Sequence, residues 1–228
     1  MHHHTEETPV SLRTEPIQAR STARLHALLD ATADVVAEVG VERLTTNLVA
    51  ERAGAAIGTL YRYFPDRIAV LRGLALRHAT AVHGDVSAAL ESVSDGTAGL
   101  RATLETMTER FIERYRDEPG WSAIGFDNTL DTPLHEGEQQ LVGPALRTDR
   151  SPREQIAHDV AERFTVDDDA RNALADDVGV VTVLVHQLVE RAFVGARAGD
   201  ERLLAIARGA SSTAIDLVTE RFEARAAA

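Results

Sequence analysis

Residues 44–64 read LTTNLVAERAGAAIGTLYRYF, and this stretch decides the fold. Gly54 divides it into two short segments with apolar residues at helical spacing, Leu48 and Val49 before it and Leu60 and Phe64 after it. Thr45 or Thr46 offers a hydroxyl to cap the first segment. A residue without Cβ at Gly54 takes the positive φ that a tight turn between two helices needs. Leu60 and Phe64 are four apart, so one face of the second helix packs onto the helices before it. That packing turns Thr59, Arg62 and Tyr63 away from the deepest core. A helix held in this way lies in the major groove and offers its first residues to base edges. The expectation is a helix-turn-helix.

The pattern is helical on both sides of this segment, with no alternating runs that would mark strands. Upstream, Leu25, Leu28, Leu29, Val36 and Val39 form one stripe that ends at Gly40. Residues 1–19 are polar and carry two prolines, which predicts a disordered arm; His2, His3 and His4 are set aside from site reasoning. Downstream, Pro65 and Asp66 introduce a long helix from about Arg67 to Leu90. The Gly-containing stretch 92–99, SVSDGTAG, is the best candidate for a boundary between helical units. A helix follows to about Arg116, then an irregular stretch from Glu118 to Pro152, then helices near 152–164, 168–197 and 201–225. The expected fold is all-α: an arm at 1–19, a three-helix unit at 20–75 and a helical bundle at 76–228.

Composition bounds the function. The 228 residues contain no cysteine, which removes disulfides and cysteine-based zinc sites. No lysine occurs, so all 24 basic residues are Arg; biased codon usage and a preference for phosphate contacts both account for that. Net charge is −12, unfavourable for a nucleic-acid partner until its distribution is considered. Residues 1–85 hold ten acids and nine Arg, a balance of −1, whereas 86–228 hold twenty-six acids and fifteen Arg, a balance of −11. Within 20–77 the eight Arg outnumber the six acids. One end of the chain is fit to approach DNA and the other repels it. The first twenty residues contain no apolar run that would serve as a signal peptide. The longest apolar run, Val178 to Val189, is shorter than the roughly twenty residues a bilayer requires, so a cytoplasmic protein without membrane contact is expected.

In detail the segment resembles the DNA-binding domain of the tetracycline-repressor (TetR) family. The family's pattern is matched by Thr45, Val49, Ala50, Ala53, Gly54, Gly58, Thr59, Leu60, Tyr61, Tyr63, Phe64 and, conservatively, Val70. The register of AG-x-x-x-GTLYRYFPD carries the specificity, and the resemblance spans about residues 20–75. Three positions depart from it. The turn's usual Val-Ser is Ala55-Ala56, which removes the hydroxyl that caps the second helix at a cost of about 1 kcal/mol. The Lys that usually opens the fourth helix is Arg67, and Asn47 replaces a more basic residue.

The resemblance implies phosphate contacts from Thr46, Tyr61, Tyr63 and Arg67. It places Asn47, Ile57, Gly58, Thr59 and Arg62 near the DNA, with Arg62 able to grip a guanine bidentately. Ile57 has two readings, contact with a thymine methyl or packing beside Leu60 and Phe64. Tyr61 has a second reading as a half-buried packing residue. The resemblance also implies a homodimer on a palindromic double-stranded operator, formed by the last two long helices, with repression as the commoner mode. Val181, Val185 and Leu188 on one helix and Ala210, Ala214 and Leu217 on the other are the candidate interface residues.

It further implies a small-molecule effector, apolar or amphipathic, held in the bundle and releasing the DNA. Met107, Phe111, Tyr115, Trp121 and Phe126 concentrate aromatic and apolar surface in a chain with 4% aromatics, and His186 and Gln187 are polar residues within an apolar run; these seven are the candidate pocket. Each also has a reading as plain core. No cofactor or metal is expected. An enzyme is disfavoured because no Gly-rich phosphate loop, H-E-x-x-H pair or nucleophile elbow occurs. A helical interaction protein, or a DNA-binding regulator without a small-molecule ligand, is the alternative.

Overall fold

The computed structural model describes residues 14–227, apart from 136 and 148. Nine α-helices and four short 3₁₀ turns make up the described residues, with no strand among them. The first helix, α1 (Thr14–Val39), begins inside the stretch read as a disordered arm; residues 1–13 of that arm lie outside the described residues. A 3₁₀ turn at Val41–Arg43 leads to α2 (Thr46–Arg52), and the tight turn at Gly54 (φ 59°) leads to α3 (Ile57–Tyr61). Thr45 caps α2 by accepting from Leu48 N at 3.2 Å. At α3 the capping residue is Ala56, and no side chain bonds the helix start.

Asp66 then caps α4 (Arg67–Ser92), accepting from Ala69 N at 2.8 Å. This helix has 26 residues, a length of about 39 Å, and it belongs to two cores. Val70, Leu71 and Leu74 complete the N-terminal core of Leu28, Leu29, Val36, Leu44, Val49 and Leu60. Two residues on, Leu76, Ala79 and Val86 belong to a second core. The cores therefore divide within a continuous helix. The 92–99 stretch is a tight turn joining α4 to α5 (Gly96–Asp117), both of which pack in the second core, so it bounds no domain.

The rest of the second unit is α6 (Gln139–Val142), α7 (Pro152–Phe164), α8 (Asp168–Phe193) and α9 (Glu201–Ala226). A full capping box starts α7, with Ser151 and Glu154 each bonding the other's backbone. By length and composition α8 could cross a membrane, a breadth of apolarity that the shorter run in the sequence did not suggest. Its packing between α7 and α9 accounts for that apolarity.

The irregular stretch after α5 stitches the two units together. Gly120 lies so close to α1 that a Cβ there would fall 2.7 Å from Ala33 Cα, and Ala123 joins the N-terminal core. Arg72 of α4 is buried and pairs with Glu138 at 2.5 Å, while its Nη2 donates to Pro133 O at 3.2 Å.

Candidate DNA interface and regulatory cavity

Gly54 and the Leu60–Phe64 face set α3 across α2, with Leu60 and Phe64 buried. The outer surface of this pair carries the expected DNA contacts. Asn47, Gly58 and Arg62 are exposed, Thr46 and Thr59 are half-buried, and Tyr61 is 50% exposed. Thr46 Oγ1 and Tyr61 OH share a hydrogen bond of 3.3 Å, which holds the two hydroxyls side by side. Ile57 is 38% exposed, which places it on the outer face rather than in the core with Leu60. Arg62 is the C-terminal capping residue of the five-residue α3 and lies over the Tyr63 ring at 5.7 Å. Tyr63 is tied to α1, its hydroxyl donating to Ser21 O at 3.3 Å.

The structure gives Arg67 an inward role that sequence reasoning missed. Its Nε donates to Leu44 O at 2.8 Å, and its Nη2 donates to Val41 O at 2.5 Å and Glu42 O at 3.3 Å. These carbonyls end the 3₁₀ turn before α2, where Val41 O otherwise accepts only from Leu44 N at 3.4 Å. The guanidinium fork reaches them because Arg presents several donors in a fixed plane. Arg67 thus fastens α4 to the helix-turn-helix, and the phosphate contact expected of it is left to its remaining donors. Arg52 is also occupied: it bonds Glu38 at 2.6 Å and holds that carboxyl below its usual range. Arg20, Arg24 and Arg62 are exposed without a carboxylate partner among the described residues.

The second unit encloses a small cavity of about 60 Å³. Met107 and Phe111 line it, as do Val82 of α4 and Val181 and Val185 of α8. Arg153 stands at its edge, paired with Asp131 at 2.5 Å and donating to His186 Nδ1 at 3.3 Å. Beside the cavity lies a layer of rings: Phe111 meets Tyr115, Trp121 and His186 edge-on at centroid distances of 5.3, 6.3 and 5.7 Å. His78 of α4 packs on Trp121 at 4.3 Å. Burial pushes the His78 and His186 imidazoles down to about 3 and about 4, so both are neutral at neutral pH.

Residues 28–74 match the family described as bacterial regulatory proteins, tetR family. The chain is 46% identical over 48 residues to the HTH-type transcriptional repressor KstR of Mycolicibacterium smegmatis, a stretch covering 21% of this chain and 24% of that repressor. Among solved structures, a TetR-family transcriptional regulator from Streptomyces coelicolor superposes with a TM-score of 0.65 at 28% identity, covering 87% of this chain and 99% of that one. Residues 28–74 thus match the tetR family, and the fold over most of the chain is that of a TetR-family transcriptional regulator.

The stretch shared with the curated repressor spans about a quarter of that protein's length. The likeness of fold reaches further. FadR from Bacillus subtilis, solved in complex with stearoyl-CoA, shares the architecture with a TM-score of 0.53 at 15% identity, over 85% of this chain and 97% of that one.

Several residues expected in the bundle fall elsewhere. Phe126 packs against the N-terminal core instead of the cavity, because the irregular stretch folds back on α1 at Gly120. Gln187 is exposed on a groove between α7 and α8, one residue round the helix from the inward-facing His186. Val181 and Val185 are buried within their own subunit, which removes them from a surface that could meet a second copy. Leu188, Ala210 and Ala214 are half-buried and Leu217 is 57% exposed. The outward apolar face of α8 is instead Val180, at 68% exposure, and Val183. Ile206 joins Leu217 on α9. Apolar residues ring α8 so broadly that neighbouring stripes cannot be ranked by spacing alone. Leu130, Arg153 and Ile156 line the cavity and were not foreseen; no periodic signal in the irregular stretch or at the start of α7 marks them.

Proposed function

We propose that this protein is a dimeric, cytoplasmic transcriptional repressor that binds a palindromic operator through α2 and α3 and is released by a small apolar or amphipathic effector. The observation that carries this reading is α4. One rigid helix holds the helix-turn-helix by Arg67 at its first turn and supplies Val82 to the cavity wall about 22 Å further on. A cavity of about 60 Å³ is far smaller than the roughly 300–1,000 Å³ of ligand pockets. An effector of ordinary size seated in this cavity moves its walls, and α4 is one of them. Tilting it changes the spacing of two recognition helices that must meet grooves about 34–36 Å apart.

The exposed apolar residues of α8 and α9, Val180, Val183, Ile206 and Leu217, support a homodimer built on these helices. A protein of the same fold solved with stearoyl-CoA supports a small-molecule ligand. Fluorescence anisotropy on the DNA flanking the protein's own coding sequence tests the reading. Affinity should fall steeply with salt, as phosphate neutralisation demands. Arg62→Ala should reduce discrimination between operator and scrambled DNA by about 1–3 kcal/mol. Salt-insensitive binding, or none, would sink the proposal.

A further inference from the structure

Three rings of the layer beside the cavity end in buried polar atoms without a hydrogen-bond partner among the described residues: Tyr115 OH, Trp121 Nε1 and His186 Nε2. All three side chains are more than nine-tenths buried. Buried polar atoms are rarely left unpaired, and a cluster of them needs an explanation.

The chemistry is best defined at His186. Arg153 Nη2 faces its Nδ1 at 3.3 Å, and a guanidinium only donates. Nδ1 therefore accepts, and in the neutral imidazole the hydrogen is on Nε2. That N–H has Glu190 Oε2 3.9 Å away, beyond hydrogen-bonding distance. Gly125 faces the same gap. A Cβ at this position would lie 3.1 Å from Glu190 Oε1 and 3.2 Å from His186 Nε2. Its φ of −83° requires no glycine, so the missing Cβ serves space, not backbone conformation. A donor and an acceptor thus face each other across a narrow niche beside Gly125. The apolar cavity adjoins it, since Phe111 and Val185 line the cavity and Phe111 meets His186.

We propose that this niche takes the neutral hydroxyl of an apolar alcohol or phenol whose carbon body lies in the adjoining cavity. The inference rests on the reading that the second unit binds a small molecule. A hydroxyl donates to Glu190 and accepts from His186 Nε2–H at once. A carboxylate would be repelled by Glu190, and Arg153 is already engaged by Asp131. An ammonium offers nothing for the His186 N–H to bond, so that donor stays unpaired. A hydrocarbon leaves both protein groups unpaired.

The test uses the full chain and four compounds of one shape: cyclohexanol, methylcyclohexane, cyclohexanecarboxylate and cyclohexylammonium. Trp121 is the single tryptophan, so its fluorescence reports on the ring layer alone. Cyclohexanol should bind at least about tenfold more tightly than the other three. Gly125→Ala and Glu190→Gln should each cut that preference several-fold, with far-ultraviolet circular dichroism confirming the fold. Equal or tighter binding of a charged or hydrocarbon analogue overturns the proposal. So do the absence of binding by all four, and indifference of the alcohol to both substitutions. Operator affinity is measured in the same samples. Cyclohexanol that binds in the niche without changing operator affinity upholds the hydroxyl site and removes the effector role. Release of DNA by a charged or hydrocarbon analogue alone keeps the effector role and overturns the hydroxyl site.

Discussion

The helix-turn-helix unit and the regulatory bundle solve opposite problems with the same secondary structure. In the first, every turn has a local chemical reason: Thr45 and Asp66 cap α2 and α4, Gly54 turns the chain, and Arg67 pairs three carbonyls. Its core of Leu28, Leu29, Val49, Leu60 and Phe64 is apolar. The second tolerates unpaired polar atoms on His78, Tyr115, Trp121 and His186 inside its packing and beside its cavity. The difference separates a unit whose geometry is fixed by local bonds from one whose interior holds polar atoms without partners among the described residues.

The largest effect should come from loosening the reading head. Leu60 is fully buried, so Leu60→Ala should destabilise by about 2–5 kcal/mol and abolish operator binding; urea denaturation followed by anisotropy checks both. A smaller effect is expected from pH, and from the regulatory side. Folding holds His78 at about 3 and His186 at about 4, below the ordinary 6.5, chiefly through burial. The unfolded chain binds those protons more readily, so their contribution is complete above about pH 6.5. It is lost progressively as pH falls towards the folded values. Urea midpoints from pH 7.5 to 4.5 should decline, and His186→Gln should flatten part of the slope. A flat profile in the wild type would show that these rings are not buried neutral.

Two further substitutions separate fastening from reading within the first unit. Arg67→Ala removes the charge-assisted bonds to the Val41, Glu42 and Leu44 carbonyls and should cost about 1–3 kcal/mol of stability in the absence of DNA, whereas Arg62→Ala should leave melting unchanged. If Arg67→Ala altered only DNA affinity, its inward bonds would not matter to the fold. The smallest effect runs the other way. Ala56 precedes α3 with no side-chain bond to the helix start, so Ala56→Ser should restore a cap and add about 1 kcal/mol, visible as a rise in melting temperature.

The same contrast governs what the sequence discloses. Turn glycines, caps and a four-residue apolar spacing are local and dictate their own consequences, so residues 45–64 are legible one position at a time. Ile57 is the exception, since spacing alone put it on the Leu60 face and the five-residue α3 exposes it instead. In the bundle, Phe111, Tyr115, Trp121 and His186 are legible as a group because aromatic rings in a ring-poor chain converge. Phe126 and Gln187 are not, because neither the fold-back at Gly120 nor the rotation of α8 leaves a periodic mark. Val181 and Val180 are adjacent in sequence and opposite in role, and a helix apolar on two faces hides which is which. Arg67 misleads for another reason: a cation at a helix start suits a phosphate and a set of backbone carbonyls equally well.

Because α4 is shared between two cores, the molecule cannot open in halves. Its amide hydrogens from Val70 to Val86 are protected by apolar packing that changes ownership between Leu74 and Leu76. Neither unit can shed this helix without exposing part of the other. The two should therefore unfold as one cooperative body, and slow hydrogen exchange should run unbroken along α4 across the seam.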